Sequence, residues 1–179
     1  MIRAFVALEV PQALRARLTV LQFFLPLPRR VEPQDFHLTL TFVGEQPDPV
    51  LVALDEGLQA LRQSPFEITL QGVGLFGGAR PHAAWAGIAP SEPLTRLQAK
   101  VDRIARLAGV QVENRRFVPH VTLGRFRPPP PDDALRLERA VVQEARFTEG
   151  PWPVEEVTLF RSHPGGEGAH YEVLARYPL

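Results

Sequence analysis

The 179-residue chain is predicted to adopt an α+β fold, on three observations. Segments with the two-residue period of strands alternate with segments whose apolar residues recur three and four apart, as on one face of a helix. Several neighbouring strand segments are joined by connections too short for a crossover helix, which makes them antiparallel. No Gly-x-Gly-x-x-Gly or P-loop signature marks a doubly wound parallel sheet. The length suits one domain, or two small lobes sharing a core, rather than two independent domains.

Ile2 to Glu9 reads as a strand, and Pro11 opens an amphipathic helix carrying Leu14, Leu18 and Leu21. Phe36 to Val43 is the next strand, followed by a helix with Asp48 as N-cap, Pro49 in its first turn and Leu51, Leu54, Leu58 and Leu61 on one face. Phe66 to Val73 alternates apolar and polar residues and is paired, across a turn at Gly77-Gly78, with Ala83 to Ala89. Ser91 caps a helix with Leu94, Leu97, Val101, Ile104 and Ala108 inward, ending at Gly109. A strand from Phe117 to Phe126 leads through the stiff connector Pro128 to Pro131 into a helix capped by Asp132 or Asp133, with Ala134, Leu137 and Val141 inward. Strands at Val154 to Arg161 and Tyr171 to Tyr177 complete a count of about seven strands and four helices.

Twenty Lys+Arg balance twenty Asp+Glu, and 45% hydrophobic with 22% charged residues is the composition of a globular chain. Neutrality argues against charge-driven binding of long duplexes. Lys100 is the only lysine, so anions would be met by arginine forks. With no cysteine, thiolate catalysis, disulfides and cysteine-ligated metals are impossible, and chemistry falls to His, carboxylates or hydroxyls. No signal peptide and no apolar run of roughly 18 residues is present, so a cytoplasmic, membrane-free protein is expected.

The chemistry concentrates in two tetrapeptides, His37-Leu38-Thr39-Leu40 and His120-Val121-Thr122-Leu123, each inside a strand. Strand alternation points His and Thr to one face and the two aliphatic residues into the core. One such motif would be no more than the polar face of a sheet, but five histidines seldom place two in the same context. Each motif offers one good metal ligand, with no carboxylate or third His at helical spacing, so no metal is expected. Two imidazoles suit in-line displacement at phosphorus, one taking a proton from the nucleophile and one giving a proton to the leaving oxygen. Unperturbed histidine titrates near pH 6.5, so one neutral and one charged ring should coexist near neutrality.

The chain resembles the 2H phosphoesterases, and among them the RNA 2′,3′-cyclic phosphodiesterases, also called 2′-5′ RNA ligases. The resemblance is carried by Arg3 to Ala7, Phe36 to Gly44, Trp85 to Ile88, Phe117 to Arg125 and Val157 to Phe160. It implies one domain spanning 1–179, made of two interleaved, pseudo-symmetric lobes of mainly antiparallel sheet with helices outside and a groove between them. It further implies His120 as general base, His37 as proton donor, Thr39, Thr122 and Arg125 as phosphate ligands, and no cofactor. The implied partners are RNA 3′ ends or small cyclic nucleotides bearing a 2′,3′-cyclic phosphate, met by a monomer and hydrolysed to a 2′-phosphate. The alternatives are 2′-5′ joining of RNA halves and a non-catalytic nucleotide- or RNA-binding module.

Arg125 poses a parity problem, because His120, Thr122 and Gly124 share a face in a regular strand and Arg125 would point away. A bulge at Gly124 is therefore expected to re-aim it. Arg115, Arg116, Arg127, Arg80 and Arg161 are further candidates to line the groove, and Phe5, Phe42 and Phe126 to stack on a base, although strand aromatics usually belong to a core. Trp85 is expected in the core, Trp152 as a partly covered loop anchor, and His82, His163 and His170 in loops, the last two around Gly165-Gly166.

Overall fold

The computed structural model describes residues 1–165 and 168–179; Gly166, and with it part of the glycine turn singled out above, lies outside the described residues. The elements run β1 (Ile2–Glu9), α1 (Gln12–Phe24), a short 3-10 turn (Pro33–Asp35), β2 (His37–Gln46), α2 (Asp48–Gln59), β3 (Phe66–Phe76), β4 (Ala83–Ile88), α3 (Glu92–Leu107), β5 (His120–Arg125), α4 (Pro131–Gln143), β6 (Thr148–Val154), β7 (Glu156–His163) and β8 (His170–Pro178). All eight strands form one antiparallel sheet in the order β6-β3-β4-β5-β2-β1-β7-β8. The α+β expectation holds.

The sheet divides into two four-stranded halves that meet at β5 and β2, where one residue pair, Leu38 with Val121, joins them. The halves are built from interleaved sequence, since β7 and β8 return to the side of β1 after β6 has joined β3. One face of the sheet carries the main core. Leu38, Leu40, Val121 and Leu123 from the two motifs pack there with Leu14, Leu18 and Leu21 of α1, Leu54 and Leu58 of α2, and Leu94, Leu97 and Val101 of α3. The motif aliphatics are thus the floor that fixes the position of each His-Thr pair.

Helix boundaries depart from the expected caps in two places. Ser91 does cap α3, its hydroxyl accepting from the Leu94 amide at 3.3 Å, and Gly109 ends the helix with φ of +98°. Helices α2 and α4 instead begin after Pro47 and Pro130 with no side-chain cap, and Asp48, Asp132 and Asp133 lie inside the first turn. Their carboxylates face the positive end of the helix dipole rather than bonding its terminal amides. Among the described residues the strand count is eight because Thr148–Val154 is a strand of its own, hidden in the sequence by Gly150, Pro151 and Pro153. It sits at the sheet edge, where proline costs no ladder bond. Trp152 is accordingly not a loop anchor: it is buried at 1% exposure against Ile68 of β3. His163 and His170 are not loop residues either but close the β7–β8 ladder as a register pair, with His163 bonded to Glu172.

Candidate active site

The antiparallel pairing of Leu38 with Val121 sets Thr39 beside His120 and His37 beside Thr122 at the centre of the sheet. The four polar side chains of the two motifs therefore gather on the face opposite the helices. Both imidazoles are held alike. The Nδ1–H of His37 donates to the Asp35 carbonyl at 2.7 Å and that of His120 to the Val118 carbonyl at 2.6 Å, two residues upstream in each case. This bond selects the neutral tautomer whose Nε2 is free to accept a proton, and whose protonated form presents Nε2–H to the groove.

Aromatic residues wall each ring. Phe5 lies 4.8 Å from His37, Tyr171 meets it edge-on at 5.0 Å, and Phe5, Ala7 and Phe160 form a second small apolar cluster on this face. Phe76 meets His120 edge-on at 4.9 Å and Trp85 lies 6.2 Å away. Trp85 is half-buried on the groove face rather than in the core, lying across Gly74, where an added Cβ would stand 2.2 Å from the indole ring. These walls desolvate the rings. Burial, aided by the charges of Arg125 and His120, pushes the His37 imidazole down to about 4 against the opposing effect of the Asp35 carbonyl. Burial, with Arg125 and Arg115, also lowers His120, opposed by the Val118 carbonyl. The expectation of one neutral and one charged ring near neutrality is thereby corrected: without an anion, both rings are neutral at pH 7.

Arg125 reaches the groove by the expected means, one residue early. The β4–β5 ladder pairs Trp85 with Thr122 and Ala84 with Gly124, so Leu123 is the extra residue of a bulge. Its carbonyl leaves the ladder and accepts from the Val31 amide at 2.9 Å and from Gln22 Nε2 at 2.8 Å. Gln22, buried at 3%, also donates to the Val31 carbonyl and so ties α1 to the bulge. With Leu123 and Gly124 both turned from the groove, Arg125 returns to the face of His120 and Thr122. Its charge bears on His37, His120 and Tyr171. The Gly124 position is closed to a side chain, since a Cβ would lie 2.5 Å from the Arg29 carbonyl oxygen.

Strand β2 is irregular as well. Its ladder with β1 skips Leu40 and Val43, pairing Thr39 with Ala7 and Phe42 with Phe5. Thr41 turns to the helix side and donates to Asp102 of α3, whereas Phe42 shares the groove face with Phe5 and is 52% exposed under the Arg115 guanidinium, 5.6 Å above its ring. Of the other candidates, Arg80 lines a separate cavity of about 450 Å³ formed with the proline connector and α4, Arg161 lies on β7 opposite Ala4, and His82 is exposed in the β3–β4 loop. A cavity of about 210 Å³ opens beside His37 between Tyr171, Phe160, Asp35, Gln34 and Arg15. Among the described residues no three His, Asp or Glu side chains gather as a metal site, and no helix is long and apolar enough to cross a membrane.

The family model described as the 2′-5′ RNA ligase superfamily matches residues 8–166. The chain belongs to that superfamily. A relative from Aeropyrum pernix, named RNA 2′,3′-cyclic phosphodiesterase, is 38% identical over 55% of this chain, and the match spans 57% of the relative's own length. A relative of the same name from Methanothermobacter thermautotrophicus is 30% identical, with 95% of each chain covered. The crystal structure of E. coli LigT complexed with 3′-AMP superposes with a TM-score of 0.80 at 27% identity, covering 99% of this chain and 98% of that one. The chain thus shares its overall fold with that solved structure. The aromatic walls, above all Tyr171 and Phe76, were not readable as site residues: strand aromatics look alike in sequence whichever face they line. The carbonyls that anchor the rings carry no sequence signal beyond their place two residues before each histidine.

Proposed function

We propose that the protein is an RNA 2′,3′-cyclic phosphodiesterase that opens cyclic phosphate ends to 2′-phosphates by two-histidine acid–base catalysis. The observation that supports this most is the pair of equivalent imidazoles, each with Nδ1 tied to a carbonyl and Nε2 left for proton transfer. In this reading His120 Nε2 takes a proton from water as the oxygen attacks phosphorus. The P–O3′ bond breaks, and His37 Nε2–H protonates the departing O3′. The hydroxyls of Thr39 and Thr122 and the Arg125 guanidinium hold the non-bridging oxygens, whose charge grows as the nucleophile adds. Both rings are neutral beforehand, so the phosphodiester anion itself must raise the imidazoles enough for one to carry the donated proton. Because O3′ belongs to the same nucleoside as the phosphate, that nucleoside lies at the His37 end, beside the 210 Å³ cavity.

Every residue used comes from one chain, so a monomer suffices, and an RNA substrate sets the reaction in the cytoplasm. The test is turnover of a short RNA ending in a 2′,3′-cyclic phosphate, in EDTA, for the parent, His37→Ala and His120→Ala. Each substitution should cost about 10² to 10⁴-fold, with a 2′-phosphate as the parental product. An inactive parent that still binds the RNA would leave a non-catalytic binding module; a 3′-phosphate product would reverse the leaving oxygen.

A further inference from the structure

The groove face extends past His37 across β1, β7 and β8, and the ladder registers fix which side chains line it. Strand β1 alternates cleanly: Ala4, Val6 and Leu8 pack in the main core or beside it, while Phe5 and Ala7 join the small groove-face cluster, so Arg3 points to the groove. The Ala4–Arg161 pair sets Ser162 next to Arg3, on the face of Phe160, and Ser162 pairs in turn with Tyr171. Arg3, Ser162 and Tyr171 thus form a row across three strands, adjoining the row of Phe5, Phe160 and Val173.

We infer that this row is a second phosphate site, which holds the internucleotide phosphodiester one nucleotide upstream of the cyclic phosphate and so selects oligonucleotide ends over cyclic mononucleotides. The inference rests on the reading above that seats the terminal nucleoside at the His37 end. That nucleoside carries the reacting phosphate on O2′ and O3′ and the rest of the strand on O5′. The cavity beside His37 is lined by Phe160, Tyr171 and Val173, so a nucleoside seated there has the reacting centre on one side and the Arg3 row on the other. Tyr171 stands between them. Its ring meets His37 edge-on at 5.0 Å, and the charges of Arg125 and Arg3 both bear on its hydroxyl, opposed by that of Asp35.

The row repeats the chemistry assigned to the reacting phosphate, a guanidinium with two hydroxyls. Adjacent strands lie about 4.8 Å apart, so one phosphate can meet Ser162 on β7 and be reached from either side by the long side chains of Arg3 and Tyr171. Arg3 is exposed, and its ladder partner Glu45 makes no ion pair with it. In β7 and β8, His163 bonds Glu172, Thr158 and Arg176 bond Glu9, and Tyr177 bonds Asp55; among the described residues the side chains of Arg3, Ser162 and Tyr171 make no hydrogen bond. A phosphodiester, with two charged acceptor oxygens, satisfies such a set of donors. A cyclic mononucleotide has no diester at this position and forgoes the contact.

The experiment compares three substrates with the same terminal nucleoside: a 2′,3′-cyclic mononucleotide, and dinucleotides ending in the cyclic phosphate whose linkage is either a phosphodiester or an uncharged methylphosphonate. The parent should turn over the phosphodiester dinucleotide with kcat/KM about tenfold above the other two, the size expected for one charge-assisted contact. Arg3→Ala should lower that preference about tenfold and Ser162→Ala severalfold, with the loss falling on KM because this phosphate does not react. Arg3→Lys should retain part of the preference, and the salt slope of dinucleotide binding should shrink by about 0.7 in Arg3→Ala. A parent that hydrolyses all three alike, a parent that favours the methylphosphonate as much as the diester, or an Arg3→Ala variant with the parent's preference overturns the second site while leaving the hydrolase reading intact. A parent that hydrolyses none of them overturns the reading on which the site rests.

Discussion

Replacing His37 with glutamine should make the fold less sensitive to acid, although it removes a group at the heart of the site. The imidazole titrates near 6.5 in the unfolded chain and at about 4 in the folded protein, because Phe5, Phe160 and Tyr171 deny it water. As pH falls through 6.5 the unfolded state takes up a proton that the folded state refuses. The stability carried by the neutral ring is therefore complete above pH 6.5 and is lost progressively down to about pH 4. Between pH 7.5 and 4.5 the linkage amounts to roughly 2 to 3 kcal/mol. Urea unfolding of the parent and His37→Gln at both pH values isolates it, since the remaining carboxylates and His120 contribute to both proteins alike. The parent should lose roughly 2 to 3 kcal/mol more than the variant over this interval. Equal losses, or an imidazole that titrates above pH 6 by NMR in the folded parent, would refute the burial argument.

Three other outcomes are expected. Because both imidazoles are lowered in the free protein, kcat/KM for cyclic phosphate hydrolysis should peak below pH 6.5, and an optimum at pH 8 would contradict the assigned desolvation. Gln22→Leu removes one of the two hydrogen bonds to the Leu123 carbonyl and the tie to the Val31 carbonyl, so chemical denaturation should reveal a loss of about 2 kcal/mol, and kcat should fall in parallel with Arg125→Ala. Gly124→Ala sets a methyl group against the Arg29 backbone carbonyl and should lower Tm by at least several degrees, read by calorimetry, with activity reduced further through Arg125.

The elements that carry the chemistry were legible because their signals are periodic. Leu38, Leu40, Val121 and Leu123 alternate with His and Thr, and this alone assigns the faces observed. The parity of Arg125 even required an irregularity, and one occurs, displaced by a residue because Gln22 and Val31 capture the carbonyl of Leu123 rather than that of Gly124. Contacts from α1 to β5 span about half the chain and leave no local trace. The same reason hid β6, whose prolines read as loop until the edge position is known, and the pKa of His37, which depends on Phe160 and Tyr171 from strands far along the sequence. Phe42 is recognisable as an aromatic residue near the motif, but its place on the groove face depends on the register skip at Leu40, which no hydrophobic pattern encodes.

The return of β7 and β8 to the side of β1 has a consequence for biosynthesis. As the chain leaves the ribosome, β3, β4, β5 and β6 are complete by residue 154, so the half bearing His120 can close while translation continues. The half bearing His37 cannot, because Phe160 and Tyr171 come last and β1 until then has an open edge. The burial of the His37 ring is thus completed only by the final two strands. A truncation just after Val154 should leave His120 walled by Phe76 and Trp85 but His37 without the Phe160 and Tyr171 rings that cover it in the full chain.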